Sequence, residues 1–283
     1  ETLKNVFRVK EMRRKLLYLI WMIFIIRIGC QIPVPGVDSD FFKQWFSSNA
    51  GDAFNFFDAF TGGSFTRMSV FALSITPYIT SSIIMQLLTI AIPKLEEMQK
   101  EGAEGRKKIA AITRYVTVAL ALIESIAMSI GFGRQGLLEE FNFVNVAIVV
   151  CTLTAGSAFL MWIGERITEK GVGNGISIVL LINILSRVPN DFVTLYTQFI
   201  KGKTLAKGAM AAIIILAILL AVVLFVIILQ DGERRIAVQY SQKVQGRRTY
   251  GGKATHIPLK VNTSGVIPVI FASSLMQFPI VIA

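Results

Sequence analysis

The chain has 283 residues, of which 53% are hydrophobic and 17% charged, with a formal net charge of +11 at pH 7. Its mean hydropathy is +0.61. Length alone would fit about two soluble domains, but this apolar balance excludes an ordinary soluble protein.

Seven apolar runs follow one another, at 16–33, 68–92, 112–132, 143–163, 176–188, 209–229 and 265–283. The sixth holds fifteen Ile, Leu, Val or Phe residues, roughly −4.5 to −9 kcal/mol of apparent insertion free energy. Uninterrupted runs of this length predict a polytopic membrane protein built of helices. The fifth run is short, and the seventh carries Pro268, Ser273, Ser274, Gln277 and Pro279. Both are poor lipid-facing helices and are expected to sit against other helices or a cavity.

Taken in chain order, the first run lacks a small-residue cleavage site and is longer than a signal-peptide core, so it stays as a span. Arg27, three residues before Cys30, is wrong for a lipoprotein cleavage sequence. Cys30 and Cys151 both fall in or beside spans, which predicts packing rather than a disulfide framework. Next comes an aromatic stretch, A-F-N-F-F-D-A-F, closed by Gly62 and Gly63. The glycine pair should end any helix begun near Ala53. That leaves a re-entrant half-helix ahead of a long, proline-kinked apolar span. Backbone broken at membrane depth survives only where protein or water surrounds it, so the segment points to a pore or cavity.

Lys and Arg number 21 on the N-terminus and the loops that alternation places with it, against seven on the opposite side, and Arg27 lies inside the first span. Positive-inside bias predicts a cytoplasmic N-terminus. Arg114 and Arg187, at run ends, are counted with the loop charges, while Arg27 and Glu124 are the ionisable groups well inside runs. Each costs about 2.5–3.5 kcal/mol at mid-membrane and needs a partner or an aqueous wall.

Other chemistry is absent from the sequence. There is no G-x-x-x-x-G-K-[ST] phosphate loop, and the glycines at 171–175 follow a membrane run rather than a strand, so a tight turn is predicted there. His256 stands near no cluster of metal-ligating residues. No cofactor, metal or catalytic residue is expected.

Several motifs then resemble the SecY family: I-P-V-P-G-V at 32–37, F-N-x-F-x-x-F-x-G-G at 54–63, T-P-Y-I at 76–79, K-E-G at 100–102 with Gly105-Arg106, G-N-G-I-S at 173–177, G-R-R at 246–248 and I-P-L-K at 257–260. The resemblance runs in order along essentially the whole chain. It implies an all-α fold, a polytopic membrane helical bundle with a plug half-helix at 53–63, split into an N-terminal half at 1–189 and the start of a second half at 190–283. The family pattern has ten spans and this sequence stops within the seventh, so a piece of a longer protein is expected.

The implied function is a passive protein-conducting channel of the bacterial plasma membrane, not an enzyme, which moves unfolded polypeptides across and releases apolar segments into lipid. Its pore ring would comprise Ile79, Ile83, Leu180, Ile184 and Ile270. The pairs Ile79/Ile83 and Leu180/Ile184 are each four apart, hence on one helix face. The plug would include Phe54, Asn55, Phe57, Gly62 and Gly63, and the lateral gate Gln86, Glu124, Ser273, Ser274 and Phe278. The basic stretch at 231–261 would be a docking loop, through Arg234, Arg235, Lys243, Arg247 and Arg248, for ribosomal RNA phosphates or the SecA motor ATPase. Implied partners are SecE, SecG, SecA, the ribosome, signal peptides and nascent chains, and membrane lipid. Two other readings fit parts of the pattern: a secondary transporter, disfavoured by the scarcity of intramembrane charge, and a scaffold that anchors ribosomes.

Overall fold

The computed structural model describes residues 9–49, 58–136, 138, 141–202, 205–238, 243–245, 248–250, 255–263, 265, 268 and 272. The chain divides into two compact units, the second being Asp191–Pro268.

In the first unit, α1 (Lys10–Gly29) carries the first apolar run. A short helix, α2 (Ser39–Asn49), begins where Asp38 Oδ1 accepts the amides of Asp40 and Phe41, each at 3.0 Å. This is side-chain capping of otherwise orphaned donors. A helical turn at 58–61 follows, ended by Gly62 and Gly63 at φ +69° and +80°. The expectation that this glycine pair stops a helix therefore holds for the described end of the segment.

The second run differs from its expected form. Residues 62–75 are irregular, and helix starts only at α3 (Thr76–Ala91), with Pro77 in its first turn. Pro77 begins this helix instead of kinking it, because a first-turn proline loses no intrahelical hydrogen bond and its fixed φ already suits the helix. The irregular stretch is largely buried: Phe65, Met68, Ala72 and Leu73 join one core cluster with residues of the later helices at 103–133 and 143–170, while Phe71 and Ile75 join another with α1 and the helix at 143–170. Its backbone is satisfied by the chain after α1, through Val34 N to Met68 O (2.9 Å) and Val70 N to Ile32 O (3.0 Å). Non-helical backbone is thus tolerated here because protein encloses it.

From α3 the chain bends by 101° into α4 (Pro93–Lys100) and then rises through α5 (Ala103–Gly133). The third long helix is α6 (Phe143–Lys170), and α7 (Gly175–Phe199) continues through Pro189 past the end of the short fifth run. Hydroxyls knit the helices together: Ser81 Oγ lies 2.5 Å from Thr117 Oγ1 between α3 and α5, and Ser125 Oγ 3.1 Å from Thr154 Oγ1 between α5 and α6. Small polar residues at such interfaces let helices approach closely and bond across.

The second unit contains α8 (Leu205–Asp231), whose apolar window has a mean hydropathy of 3.7. It is followed by β1 (Glu233–Val238), β2 (Lys243–Gln245), β3 (Arg248–Tyr250) and β4 (Thr255–Lys260). β1 pairs antiparallel with β4 and β2 with β3, so the basic stretch expected as a loop is a nested ribbon. By length and apolarity, α5, α6, α7 and Lys207–Asp231 can each cross a membrane, and the bent pair α3 and α4 makes a fifth candidate. The described helices are those of a multi-pass membrane helical bundle, and the second unit carries the β-ribbon. The seventh run lies almost entirely outside the described residues.

Candidate functional site

The irregular segment and the helical turn before it meet α7 at a polar junction. Three α7 residues, Asn183, Ser186 and Arg187, lie three and four positions apart, which brings them to one helix face. Arg187 makes an ion pair with Asp58, whose side chain is only 4% exposed against 29% for Arg187. Asp58 also organises its own turn: its Oδ1 accepts the amide of Thr66 (3.0 Å), and the Thr61 hydroxyl donates to its backbone carbonyl (3.1 Å). The Ser186 hydroxyl donates to the carbonyl of Asn183 at 2.6 Å and lies 3.4 Å from the carbonyl oxygen of Gly62.

Asn183 is buried and used from two sides. It donates to Ser74 Oγ (3.1 Å) and accepts from Arg27 Nη1 (3.5 Å). The charge of Arg27, expected to need a partner or water, has a partner in Asn183 and also lines a cavity of about 920 Å³ with Lys43, Asp58, Arg67 and Arg187. Arg67 donates to Gln31, and Lys43 pairs with Asp40 at 3.0 Å. Elsewhere, Arg114 Nε on α5 donates to Glu165 Oε1 on α6 at 2.7 Å beside a second cavity of about 540 Å³, which also touches Tyr78 and Asn174.

The residues expected from sequence are distributed as follows. Ile79 and Leu180 are half-buried and pack against the same core cluster. Ile83 is 9% exposed and Ile184 is 42% exposed. Ile270 lies outside the described residues, as do the plug residues Phe54, Asn55 and Phe57 and the gate residues Ser273, Ser274 and Phe278. Gln86 is exposed near the end of α3. Glu124 is half-buried on α5, with no hydrogen-bond or ion-pair partner among the described residues. Of the docking residues, Arg234 and Arg235 are exposed on β1, Lys243 lies on β2 and Arg248 on β3, and Arg247 falls outside the described residues between those last two strands. Glu233 stands opposite Lys260 in the ribbon.

Sequence reasoning missed Asp58, Asn183, Ser186 and Arg187. Arg187 was counted with the loop charges, yet it lies inside α7. A signal was present: an arginine at the end of an apolar run is the kind of group that led to Arg27 and Glu124.

Comparison with known proteins gives a consistent picture. A family model described as SecY matches residues 69–283. The protein translocase subunit SecY of Pseudomonas aeruginosa is 44% identical over 96% of this chain and 61% of that protein. The SecY subunits of Escherichia coli and Buchnera aphidicola are each 42% identical over 96% of this chain, covering 62% and 77% of those proteins. The chain therefore spans a little under two thirds of the length of most of these relatives. Among solved structures, a protein-conducting channel shares the fold with a TM-score of 0.64 at 18% identity, over 95% of this chain and 57% of that one. Sec61 from a canine ribosome–channel complex of the endoplasmic reticulum does so with a TM-score of 0.60 at 17% identity, over 99% of this chain and 63% of that one. The chain belongs to the SecY family.

Proposed function

From that membership we propose that the chain is the N-terminal part of a protein-conducting channel subunit, which passes unfolded polypeptides across the bacterial plasma membrane and releases apolar segments sideways into lipid. Its N-terminus is cytoplasmic, as the positive-inside bias indicates. The channel is passive, and partners supply the energy: SecA or the ribosome on the cytoplasmic side, with SecE and SecG beside it in the membrane. Homologues are named protein translocase subunits, and the solved structures of like fold include protein-conducting channels.

One observation carries the reading. A glycine-ended helical turn and a largely buried irregular segment precede α3 and pack against α1, α5 and α6 in a chain of apolar, membrane-spanning helices. Lipid would not tolerate such backbone, whereas a channel needs an element that can leave its seat without unwinding a spanning helix. The 53–63 segment is the plug. Ile79, Ile83, Leu180, Ile184 and Ile270 form the apolar ring that gates water by dewetting. Gln86, Glu124, Ser273, Ser274 and Phe278 line the lateral gate. Arg234, Arg235, Lys243, Arg247 and Arg248 of the ribbon take the ribosome or motor.

The test is deletion of residues 53–63 in the full-length protein, purified in its complex and reconstituted in vesicles. A channel leaks small ions at rest after this deletion. Vesicles as tight as those with the parent protein would refute the reading and favour a transporter or scaffold.

A further inference from the structure

We propose that Asn183, Ser186 and Arg187 of α7 are the receptor that holds the plug in its seat, with the Arg187–Asp58 ion pair as the latch. The proposal rests on the channel reading for what the 53–63 segment does; the receptor itself is argued from contacts on one helix face.

Three kinds of contact converge there. The first is electrostatic: Arg187 pairs with Asp58, whose carboxylate is almost wholly withdrawn from solvent. The second is steric. A Cβ on Gly62 would stand 2.8 Å from the carbonyl oxygen of Asn183 and 2.9 Å from Ser186 Oγ, and Gly62 holds φ +69°. No side chain fits between this turn and α7, so the glycine serves close approach as well as helix termination. The third is a brace: Asn183, bonded to Ser74 and Arg27, fixes the receptor face against α1 and the residues ahead of α3.

The arrangement is also built to release. The Asp58 carboxylate keeps its bond to the Thr66 amide and the Asp58 carbonyl its bond to the Thr61 hydroxyl, so separation from α7 need not unfold that turn. Arg187 borders the 920 Å³ cavity, where water can take over a freed guanidinium. Arg27, Lys43 and Arg67, which share that cavity, are bonded to Asn183, Asp40 and Gln31. Of the four cations, Arg187 is the one bonded to the plug among the described residues.

The test uses the full-length protein purified in its native complex and reconstituted in lipid vesicles, with resting ion leak as the readout. Arg187→Gln and Asp58→Asn each raise the leak by about tenfold or more, as expected for loss of a charge-assisted hydrogen bond. Asp58→Asn retains an acceptor for Thr66 and so spares the turn. Arg187→Lys keeps most of the seal. The double variant leaks no more than the leakier single one, because both changes remove one interaction. Additive leaks would overturn the pairing. If Arg187→Gln and Asp58→Asn both seal like the parent while deletion of 53–63 leaks, the receptor is wrong and the plug stands. If the deletion also seals, both readings fall.

Discussion

Gly156 on α6 offers a sharp test of how tightly the irregular segment is clamped. A Cβ there would lie 2.0 Å from the carbonyl oxygen of Val70 and 2.9 Å from its carbonyl carbon. Ordinary contact begins near 3.4 Å, so Gly156→Ala demands a separation of about 1.4 Å along that line. Neither side yields easily. Val70 is tied to Ile32 through its amide, and α6 is packed against α5 with a hydroxyl bridge at Thr154. Alanine would return about 1 kcal/mol of helix propensity, while overpacking of a fixed site costs about 1–3 kcal/mol. With backbone on both sides of the clash the upper figure applies, for a net loss of about 2 kcal/mol. Gly208→Ala on α8 is the comparator, since its Cβ would meet Ile200 Cγ2 at 3.5 Å, an ordinary contact. That variant is expected to be neutral or stabilised by up to about 1 kcal/mol. Thermal unfolding of the purified complex in detergent measures both. If Gly156→Ala unfolds at or above the temperature of Gly208→Ala, the clamp is not as tight as described.

Phe42, Phe65 and Phe132 form an edge-to-face triad with centroids 5.3–6.2 Å apart, so Phe132→Ala is expected to lose about 3–5 kcal/mol and to open the α2–α5 contact to limited proteolysis. Ser81→Ala removes the hydroxyl contact between α3 and α5 at a cost of only about 0.6 kcal/mol, a small and measurable fall in melting temperature. Arg114→Gln breaks an ion pair whose side chains are 50% and 23% exposed; the loss should stay below about 1 kcal/mol, and a larger fall would mean the pair is more enclosed than it looks. Glutamate at both Arg247 and Arg248 is expected to weaken ribosome or motor binding more at low salt than at high salt in co-sedimentation, because phosphate-type contacts are screened; unchanged binding at low salt would remove the ribbon from the docking surface.

Much of the helical frame was legible because a bilayer imposes a length. The runs behind α5, α6 and α8 needed no context beyond their uninterrupted apolar residues. Context decided the remainder. The run at 176–188 looked too short because Arg187, Pro189, Asn190 and Asp191 interrupt its apolarity, yet α7 continues to Phe199. The interruption is supplied by a partner 129 positions away in sequence, and nothing local announces such a pair. Pro77 was read as a kink because the preceding residues 68–75 are as apolar as a helix. They are apolar because they are buried in both core clusters, and burial alone does not specify helix. The ribbon was hidden by its charge. In β4, Ile257 and Leu259 are two apart, between His256 and Lys260, and Ile257 stands opposite Ile236 of β1, a period-2 spacing that the reading as a basic loop passed over. Among the site residues, the i, i+4 spacing of Ile79 with Ile83 and of Leu180 with Ile184 could be read from sequence. The depth of each in the protein could not.

An ion pair inside a membrane protein raises the question of how it can be both strong enough to seal and weak enough to yield. In hydrocarbon the answer would be neither, since separating the charges would leave two unsolvated ions at a cost of several kcal/mol each. Here the pair sits at a boundary. Asp58 faces inward with its Oδ1 bonded to the Thr66 amide of its own turn and its Oδ2 to Arg187, and Arg187 borders a polar cavity. Opening therefore exchanges a protein partner for water on the arginine side. On the aspartate side the local bonds persist. The barrier then reflects one charge-assisted hydrogen bond plus the close packing of Gly62, not the desolvation of two ions. Arg187→Lys separates these contributions: it keeps the charge but loses the fork geometry. A seal nearly as tight as the parent would assign the hold to charge at the cavity wall, whereas a leak equal to that of Arg187→Gln would assign it to the directed hydrogen bond.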